Sequence, residues 1–320
     1  MRPAVILLST HNGERFLAAQ LGSILAQTHT EWRLVVRDDA STDRTPEILK
    51  AFAERDSRVE LMPGGDRLGP PLSFGRLLEN APSADFYFWC DQDDIWPCER
   101  MGKMIEGFQA MHPESAPDAP GLLHTDLRLV DEGGRELSRS LHQRYGIGHV
   151  ANAPLGFLIP QNFVSGCASV FNDALRQIAS PIPEDAISHD WWLALMAAAV
   201  GRIHYLNETL IDYRRHSENV SQLRRMTHFR ELALMRGGNS PIRRRMIRRY
   251  RQSLALERRL EGQNPGCAAL GPLREWNQAW ARGGLGAAAA SVRHGIRLQR
   301  FLRTLFFRLQ LLLCRPAGDE

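Results

Sequence analysis

The sequence has few cysteines and no long apolar run. Five cysteines are spread over 320 residues and none forms a CxxC pair, which argues against a disulfide framework and favours a reducing compartment. The apolar part of MRPAVILLSTHNGE is too short for a signal peptide. No run reaches the roughly 18–20 apolar residues of a membrane-spanning helix. We therefore expect a cytoplasmic protein.

Charge is unevenly distributed along the chain. Residues 223–320 contain 20 arginines and six acidic residues, whereas residues 1–222 contain 20 basic and 30 acidic ones. This division indicates two parts with different partners. No recognisable nucleic-acid-binding module accompanies the arginines, which argues against a nucleic-acid partner. We expect a folded body over residues 1–222 and an arginine-rich helical region over residues 223–320.

Apolar runs alternate with helical periods through the first hundred residues. The runs AVILLS, WRLVV, VEL and FYFWC are separated by amphipathic stretches. This pattern predicts βαβ units, and so an α/β fold with a mostly parallel sheet flanked by helices. The polar segments THNGE, RDDAS and DQDD follow three of the runs. Because ligands bind beyond the carboxyl ends of parallel strands, we expect these segments to converge.

Three carboxylates, Asp91, Asp93 and Asp94, follow the run FYFWC. Adjacent carboxylates resist ionisation unless a cation lies between them. An EF-hand is excluded, because no Gly stands at the sixth position and no Glu at the twelfth. Oxygen ligands suit Mg²⁺ or Mn²⁺, which proteins hold with one or two carboxylates plus substrate phosphates. The alternative is a solvated loop without a ligand.

The other two polar segments have positions suited to a nucleotide. Asp39 could accept a hydrogen bond from a nucleobase or ribose, or it could cap the following helix. The segment after the first run offers backbone and side-chain groups that could grip a nucleotide. Its side chains of interest are Thr10, His11, Asn12 and Glu14.

Taken together, these stretches resemble family 2 glycosyltransferases of the GT-A fold, and most closely the bacterial rhamnosyltransferase-type members. The matching segments are LLSTHNGERFLAAQLGSILAQT, VVRDDASTDRT, FWCDQDDIW, HDWWLALMAAAVG and YRRHSENVS, which cover about residues 4–221. The resemblance implies a GT-A catalytic domain over residues 1–222, with a nucleotide-binding half to about residue 111 and an acceptor half from about residue 112. The stretch GDRLGPPLSFGRLL departs from the family, with Ser73 where Asn is common.

The resemblance implies roles for individual side chains. Thr10 and Asp39 would contact the nucleotide base, and Asp190 would be the catalytic base, although its position also suits a helix start. The other implied positions are Asp91 and Asp93 at the metal, Asp91 and Gln92 at the nucleotide, Asp94 as a support or sugar contact, and His216 at the metal or diphosphate. Trp191 and Trp192 could stack on a sugar, with one of the two expected in the core.

The activity implied by the resemblance is inverting, metal-dependent transfer of a sugar to a growing bacterial surface polysaccharide. The donor would be a dTDP- or UDP-sugar, with rhamnose among the candidates, and the acceptor a glycan or a lipid-linked sugar. Two alternatives remain open. One is a sugar-phosphate nucleotidyltransferase, and the other is a non-catalytic carbohydrate- or membrane-binding protein with the same fold.

The arginine-rich region ends in an amphipathic pattern. Apolar residues recur there at helical spacing, at Leu298, Phe301, Leu302, Leu305, Phe306, Leu309, Leu312 and Leu313. Such a helix suits an anionic membrane surface, which predicts a peripheral position on the inner face of the plasma membrane. The alternative is packing on the catalytic domain or on a second subunit, which would make a homo-oligomer.

Overall fold

The computed structural model describes residues 2–112, 115–116, 118–152, 154–217 and 240–313. The strands in these ranges are β1 (Ala4–Thr10), β2 (Trp32–Asp38), β3 (Val59–Leu61), β4 (Phe86–Cys90), β5 (Gly121–Val130), β6 (Glu136–Ser138), β7 (Ser169–Asn172) and β8 (Arg202–Arg214). The helices are α1 (Leu17–Leu25), α2 (Thr45–Ala53), α3 (Pro70–Asn80), α4 (Arg100–Met111), α5 (Leu141–Tyr145), α6 (Pro154–Leu158), α7 (Asp173–Ala179), α8 (His189–Val200), α9 (Pro241–Gln263), α10 (Leu270–Arg282), α11 (Gly284–Arg293) and α12 (Phe301–Leu313). The predicted boundary at residues 222 and 223 lies outside the described residues, as do the last four residues of YRRHSENVS.

The strands form one mixed sheet in the order β3-β2-β1-β4-β7-β5-β6, with β8 paired to β5. β1 runs parallel to β2 and β4, β2 to β3, and β5 to β8. β7 and β6 run antiparallel to their neighbours. The prediction of a mostly parallel sheet flanked by helices is confirmed.

β1 and β4 form the centre of the sheet because they are apolar on both faces. Ile6, Leu7, Leu8, Tyr87 and Phe88 have no exposed surface. Alternate side chains enter the cores on opposite faces of the sheet, as expected of buried parallel strands. α1 and α4 cover one face, and α3 and α8 cover the other. The polar residues that follow these strands are therefore held on a rigid base.

The arginine-rich helices pack on the same face as α3 and α8. Met246 and Leu256 of α9, Trp276 of α10 and Phe307 of α12 are buried in the core that also contains Trp192 of α8. Within the described residues, this region therefore extends the core of the sheet.

α12 divides its apolar residues between two sides. Phe306, Phe307 and Leu311 are buried against the protein. The exposed members of the predicted stripe are Phe301, Leu302, Leu305, Leu309, Leu312 and Leu313. In the described part of the chain, no helix is both long enough and apolar enough to cross a membrane.

Candidate active site

The three polar strand ends meet at one edge of the sheet, as predicted. After β1, the backbone N–H and C=O of His11 bond to the side-chain amide of Gln92, which follows β4, at 2.8 and 2.9 Å. Thr10 Oγ1 donates to Asp38 Oδ1 at 2.8 Å, and Asp39 N donates to Thr10 O at 2.8 Å. These bonds fix the ends of β1, β2 and β4 relative to one another.

Side chains predicted to bind the nucleotide join the loops after β1 and β2. Asn12 Oδ1 accepts from Thr42 N at 2.8 Å, and Glu14 Oε2 accepts from Arg44 N at 3.0 Å. Between them stands Gly13, where a Cβ would lie 2.4 Å from Gln92 Oε1 and would push the Gln92 amide away from His11. Asn12 and Glu14 therefore determine the shape of this loop.

Asp39 is 3% exposed and accepts several hydrogen bonds. Arg37 Nη1 lies 2.5 Å from its Oδ1, and Leu68 N and Gly69 N donate to its two oxygens, both at 2.8 Å. Burial favours a higher pKa for Asp39, but the two N–H groups and Arg37 outweigh it and hold that pKa below its usual value. Asp39 thus holds the chain before α3, and the alternative that it caps α2 is wrong. A carboxylate has about four acceptor positions, so one more donor can bind.

Replacing Arg37 by methionine is expected to lower the free energy of unfolding by about 3–5 kcal/mol, because the Asp39 carboxylate stays buried without its cation. The control is the more exposed pair Arg76–Glu79, whose side chains are 61% and 31% exposed. For Arg76→Met the expected change is within about 1 kcal/mol. Urea unfolding measures both variants, and equal losses would contradict the role given to the buried pair.

The acidic segment after β4 is crowded with negative charge. Asp94 has no exposed surface, and Arg214 N donates to its Oδ1 at 3.3 Å. Burial, followed by the charges of Asp93 and Asp190, raises the pKa of Asp91 to about 7. Burial, followed by Asp93 and Asp91, raises the pKa of Asp94 well above its usual value. Of the two roles implied for Asp94, its burial fits the support and leaves no surface for a sugar.

The end of β8 brings a histidine to the second carboxylate. Ile95 and Asp212 exchange backbone hydrogen bonds at 3.1 and 3.0 Å, which holds the segment after β4 beside β8. Four residues further on, His216 Nε2 lies 2.7 Å from Asp93 Oδ2. Asp93 and His216, two of the three predicted metal-site residues, are therefore in direct contact.

A thiol and a buried arginine lie beneath the carboxylates. Cys167 lies with Asp91 and Asp94 in a group whose donor atoms are all within 4.8 Å of one another. Burial raises the pKa of the Cys167 thiol well above its usual value, so it stays protonated. Arg100, which has no exposed surface, donates to the Cys167 carbonyl and lies 3.7 Å from the centre of the Trp96 ring. Sequence analysis missed both residues, because neither stands in a recognisable motif.

The carboxylates of Asp91 and Asp93 suit a hard divalent cation, and the Cys167 thiol does not. Carboxylate oxygens suit Mg²⁺ and Mn²⁺, whereas a protonated thiol does not. Asp94 Oδ2 is buried without a hydrogen-bond partner, and the raised pKa values of Asp91 and Asp94 show that negative charge is crowded here. The residues that could hold a cation are therefore Asp91 and Asp93, with His216 as a further ligand or as the group that orients Asp93.

α8 carries Asp190 in its first turn, beside the acidic segment. Its Oδ2 accepts from Asn162 Nδ2 and Gly166 N, both at 3.2 Å, and its Oδ1 accepts from Trp191 N at 2.7 Å. These donors fix the orientation of the carboxylate. Its charge lies close enough to Asp91 to raise the pKa of that residue. The predicted base and the predicted cation site therefore belong to one site.

The two tryptophans after Asp190 have different surroundings. Trp192 has no exposed surface, and its Nε1 donates to Ala179 O at 2.8 Å. Trp191 Nε1 donates to Leu158 O at 2.6 Å, and the residue lines an open cavity. Both tryptophans are buried in the core, and contact with a sugar is restricted to the part of Trp191 that lines the cavity.

A group of histidines, also missed by sequence analysis, lies between β5 and the loops around α5. His124 has no exposed surface and its Nε2 lies 3.1 Å from His149 Nδ1. The ring of Tyr205 stacks on His149 at 5.2 Å, and His142 lies 6.1 Å from His124, centre to centre. Burial, followed by the charges of His149 and His142, lowers the pKa of His124 well below its usual value. His124 is therefore neutral in the folded protein at pH 7.

Acidification is expected to destabilise the protein through His124. Below about pH 6.5 the unfolded chain binds a proton at this position and the folded chain does not, so the free energy of unfolding falls by up to ~1.4 kcal/mol per pH unit. In His124→Phe the fall between pH 6.5 and 5 should be smaller. At pH 8 the imidazole is neutral in both states, and the difference between the two proteins reports packing alone. If the free energy of unfolding falls equally between pH 6.5 and 5 in the unchanged protein and in His124→Phe, this role of His124 is contradicted.

The comparisons with known proteins agree with the resemblance found in the sequence. Residues 5–116 match the family model for glycosyl transferase family 2. Over these residues the predicted resemblance to that family is confirmed. Over 218 residues the chain is 22% identical to the putative teichuronic acid biosynthesis glycosyltransferase TuaG of Bacillus subtilis, a match that covers 68% of this chain and 80% of TuaG. Matches to other curated relatives cover 65% and 59% of their length.

Two solved glycosyltransferase structures share the fold. Residues 1–349 of Staphylococcus aureus TarS, in complex with UDP-GlcNAc, align with a TM-score of 0.56 at 15% identity, covering 97% of this chain and 88% of that one. The mannosyltransferase PcManGT of Pyrobaculum calidifontis, in complex with GDP-Man and Mn²⁺, aligns with a TM-score of 0.53 at 19% identity, covering 99% and 86%. The likeness confirms the GT-A fold predicted from the sequence.

Proposed function

We propose that this protein transfers a sugar, with inversion and with Mg²⁺ or Mn²⁺, from a nucleotide-diphosphate donor to a glycan or lipid-linked acceptor in bacterial surface polysaccharide synthesis. The observation that carries the proposal is that one turn contacts both groups: Gly166 N donates to Asp190 Oδ2 at 3.2 Å, and the Cys167 thiol lies within 4.8 Å of Asp91. The reaction needs a base at the acceptor hydroxyl and a cation site at the diphosphate of the donor, on either side of the carbon atom that is transferred. The similarity to TuaG, described as a putative teichuronic acid biosynthesis glycosyltransferase, supports the acceptor class. The complexes of TarS with UDP-GlcNAc and of PcManGT with GDP-Man and Mn²⁺ support the donor class and the ion.

The donor nucleotide lies against the ends of β1 and β2, with its base at Thr10 and Asp39. Asn12 and Glu14 contribute to nucleotide binding indirectly, because they hold the loops after β1 and β2 together. Gln92 acts through its two bonds to the backbone of His11. The diphosphate extends toward Asp91 and Asp93.

Asp190 is the general base. It takes the proton of the acceptor hydroxyl as that oxygen attacks the anomeric carbon, and the bond from this carbon to the diphosphate breaks with its electron pair on the leaving nucleotide. Attack from the side opposite the diphosphate inverts the anomeric centre. A cation bound at Asp91 and Asp93 supplies stabilisation for the negative charge that develops on the leaving group. Asn162 and Gly166 keep the Asp190 carboxylate aimed during the proton transfer.

The products of the reaction test this function. With Mn²⁺, a panel of UDP-, dTDP- and GDP-sugars and a bacterial membrane fraction as acceptor, we expect release of a nucleoside diphosphate and incorporation of the sugar. In a parallel reaction with nucleoside triphosphates and sugar 1-phosphates, we expect no pyrophosphate. Pyrophosphate release would overturn the proposal and assign a nucleotidyltransferase instead.

We also propose that α12 holds the enzyme on an anionic membrane. Its outer side exposes six apolar residues of the predicted stripe, and Arg293, Arg297 and Arg300 are exposed just before it. Anionic headgroups attract the arginines while the apolar side chains enter the headgroup boundary. The inner side, with Phe307 and Leu311, stays packed on the protein.

Changes confined to the outer side test the membrane proposal. The double variant Leu305→Ser/Leu309→Ser is expected to bind vesicles rich in phosphatidylglycerol about tenfold or more weakly, because two leucines lose their apolar contact. The control Leu285→Ser/Val292→Ser changes two exposed apolar residues of α11 and should change binding less than about threefold. Unchanged vesicle binding by the first variant would overturn the proposal. A dimer that dissociates in that variant would assign the surface to a second subunit.

A further inference from the structure

A cavity lined by arginines opens between α8 and α9. It has a volume of about 380 Å³ and lies where the segment before α8 meets the first turns of α9. It is lined by Ile187, Trp191, Pro241, Arg244, Arg245, Arg248 and Arg249. Among the described residues, no acidic side chain lines it. The surface of the cavity is mostly apolar, and four cationic side chains are among its lining residues.

Two residues that line this cavity are close neighbours of the proposed base, Asp190, in the sequence. Ile187 and Trp191 lie on either side of Asp190 in the sequence, and consecutive Cα atoms are only about 3.8 Å apart. Arg248 Nη2 donates to Ile187 O at 3.4 Å, and Ile187 N donates to Gln252 Oε1 at 2.7 Å, so α9 is fastened to the same segment. A group bound in the cavity would thus lie close enough to Asp190 for one attached sugar to reach it.

The chemistry of the lining selects a phosphate group. Guanidinium groups offer paired N–H donors that match phosphate oxygens, and Arg does this better than Lys. The cavity also lies at the N-terminus of the long helix α9, where the helix dipole favours an anion. Trp191 and Ile187 supply an apolar surface against which a sugar ring or the start of a lipid chain can pack. A neutral glycan would use none of the cationic groups.

We propose that this cavity binds the phosphate or diphosphate of the acceptor, so that the acceptor is a sugar with a phosphate group close to the hydroxyl that reacts. The inference rests on the proposed function and extends it, because it names the chemical class of the acceptor and the side chains that bind it. A lipid-linked sugar diphosphate and a phosphodiester polymer both carry this group. The phosphate holds the acceptor while Asp190 takes its proton.

Binding of inorganic pyrophosphate in the presence of EDTA, measured by calorimetry, tests the subsite without the donor metal. In Arg244→Gln/Arg248→Gln we expect the dissociation constant to rise about tenfold or more, since each charge-assisted hydrogen bond contributes about that much. The control is Arg251→Gln/Arg258→Gln, a pair on the same helix whose midpoint lies about 13 Å further along the helix axis. For this control we expect a change of less than about twofold.

Donor binding separates this inference from the proposed function. Binding of UDP with Mn²⁺ should be lost in Asp91→Asn and kept in Arg244→Gln/Arg248→Gln, which also shows that the arginine variant is folded. Binding of pyrophosphate in EDTA should be kept in Asp91→Asn and lost in Arg244→Gln/Arg248→Gln. Loss of both ligands in Asp91→Asn, with pyrophosphate binding unaffected by the arginine variant, would place the anion in the donor site and overturn the inference.

The source of the phosphate is tested with two further probes, farnesyl diphosphate and a glycerol phosphate oligomer. Tighter binding of the first, dependent on Arg244 and Arg248, supports a lipid-linked acceptor, and tighter binding of the second supports a phosphodiester polymer. Equal losses in both arginine pairs would indicate diffuse charge and overturn the subsite. If Arg244→Gln/Arg248→Gln loses binding to phosphatidylglycerol vesicles but keeps its affinity for the phosphate probes, the subsite is overturned as well, and these arginines are assigned to the membrane.

Discussion

Replacing Asp190 by asparagine is expected to lower the turnover number by about 10²–10⁴, the range that a general base contributes. The amide has the same size and can still accept the hydrogen bond from Trp191 N or Gly166 N. It cannot take the proton of the acceptor hydroxyl at the moment of attack. Donor binding should change less than about twofold, because the proposed base does not hold the nucleotide.

Sugar transfer to the acceptors of a membrane fraction measures the turnover, and calorimetry with the nucleoside diphosphate and Mn²⁺ measures binding. The control is Asp185→Asn, an exposed carboxylate five residues earlier that pairs with Arg258 at 2.9 Å. Its turnover should stay within about twofold of the unchanged protein. Normal transfer by Asp190→Asn would remove the base from the mechanism and favour a non-catalytic binding protein.

Replacing Asp91 by asparagine is expected to have opposite effects on stability with and without ligands. Without metal, the variant should be more stable by about 1–3 kcal/mol, because the half-buried side chain at position 91 no longer carries a desolvated charge that faces Asp93 and Asp190. With Mn²⁺ and a nucleoside diphosphate at about 100 times their dissociation constant, the unchanged protein gains about 2.7 kcal/mol. The variant should lose this gain together with sugar transfer, by a factor of about 10² or more.

Thermal unfolding with and without Mn²⁺ and the nucleotide measures both effects. The control is Asp85→Asn, an exposed carboxylate that pairs with Arg2 at 3.1 Å. It should leave the ligand-dependent gain in stability unchanged. A variant at Asp91 that is less stable without metal and keeps its full response to Mn²⁺ would show that this carboxylate serves the fold and not the cation.

The sequence was sufficient to predict the positions of the strand ends, because side chains after neighbouring parallel strands must meet at one edge. The runs around Leu7 and Phe88 mark buried strands on their own, and Asp39 and Asp93 follow such runs directly. The family resemblance then extended the prediction to Asp190 and His216, which no local pattern connects with Asp93.

The partners of these side chains could not be predicted, because they come from distant parts of the chain. Asp39 is bound by backbone N–H groups some 30 residues away, and Cys167 reaches the acidic segment from the 3₁₀ turn before β7. Trp191 and Trp192 are equivalent in sequence and both are buried in the core, and only the packing of α8 against α9 shows that Trp191 is the one of the two that lines a cavity. For α12 the sequence pattern indicated a single apolar stripe. The buried residues Phe307 and Leu311 lie outside that stripe, so the side that packs on the protein was not predicted.

The most direct test of the combined site is calorimetric binding of UDP, dTDP and GDP to the unchanged protein, first with Mn²⁺ and then with EDTA. The expected result is that one of these nucleotides binds at least about tenfold more tightly with Mn²⁺ than with EDTA, because in the proposed site Asp91 and Asp93 would hold a cation that attracts the diphosphate. Equal affinity with and without the ion, or no binding of any of the three, would contradict a metal-dependent donor site at the ends of β1, β2 and β4.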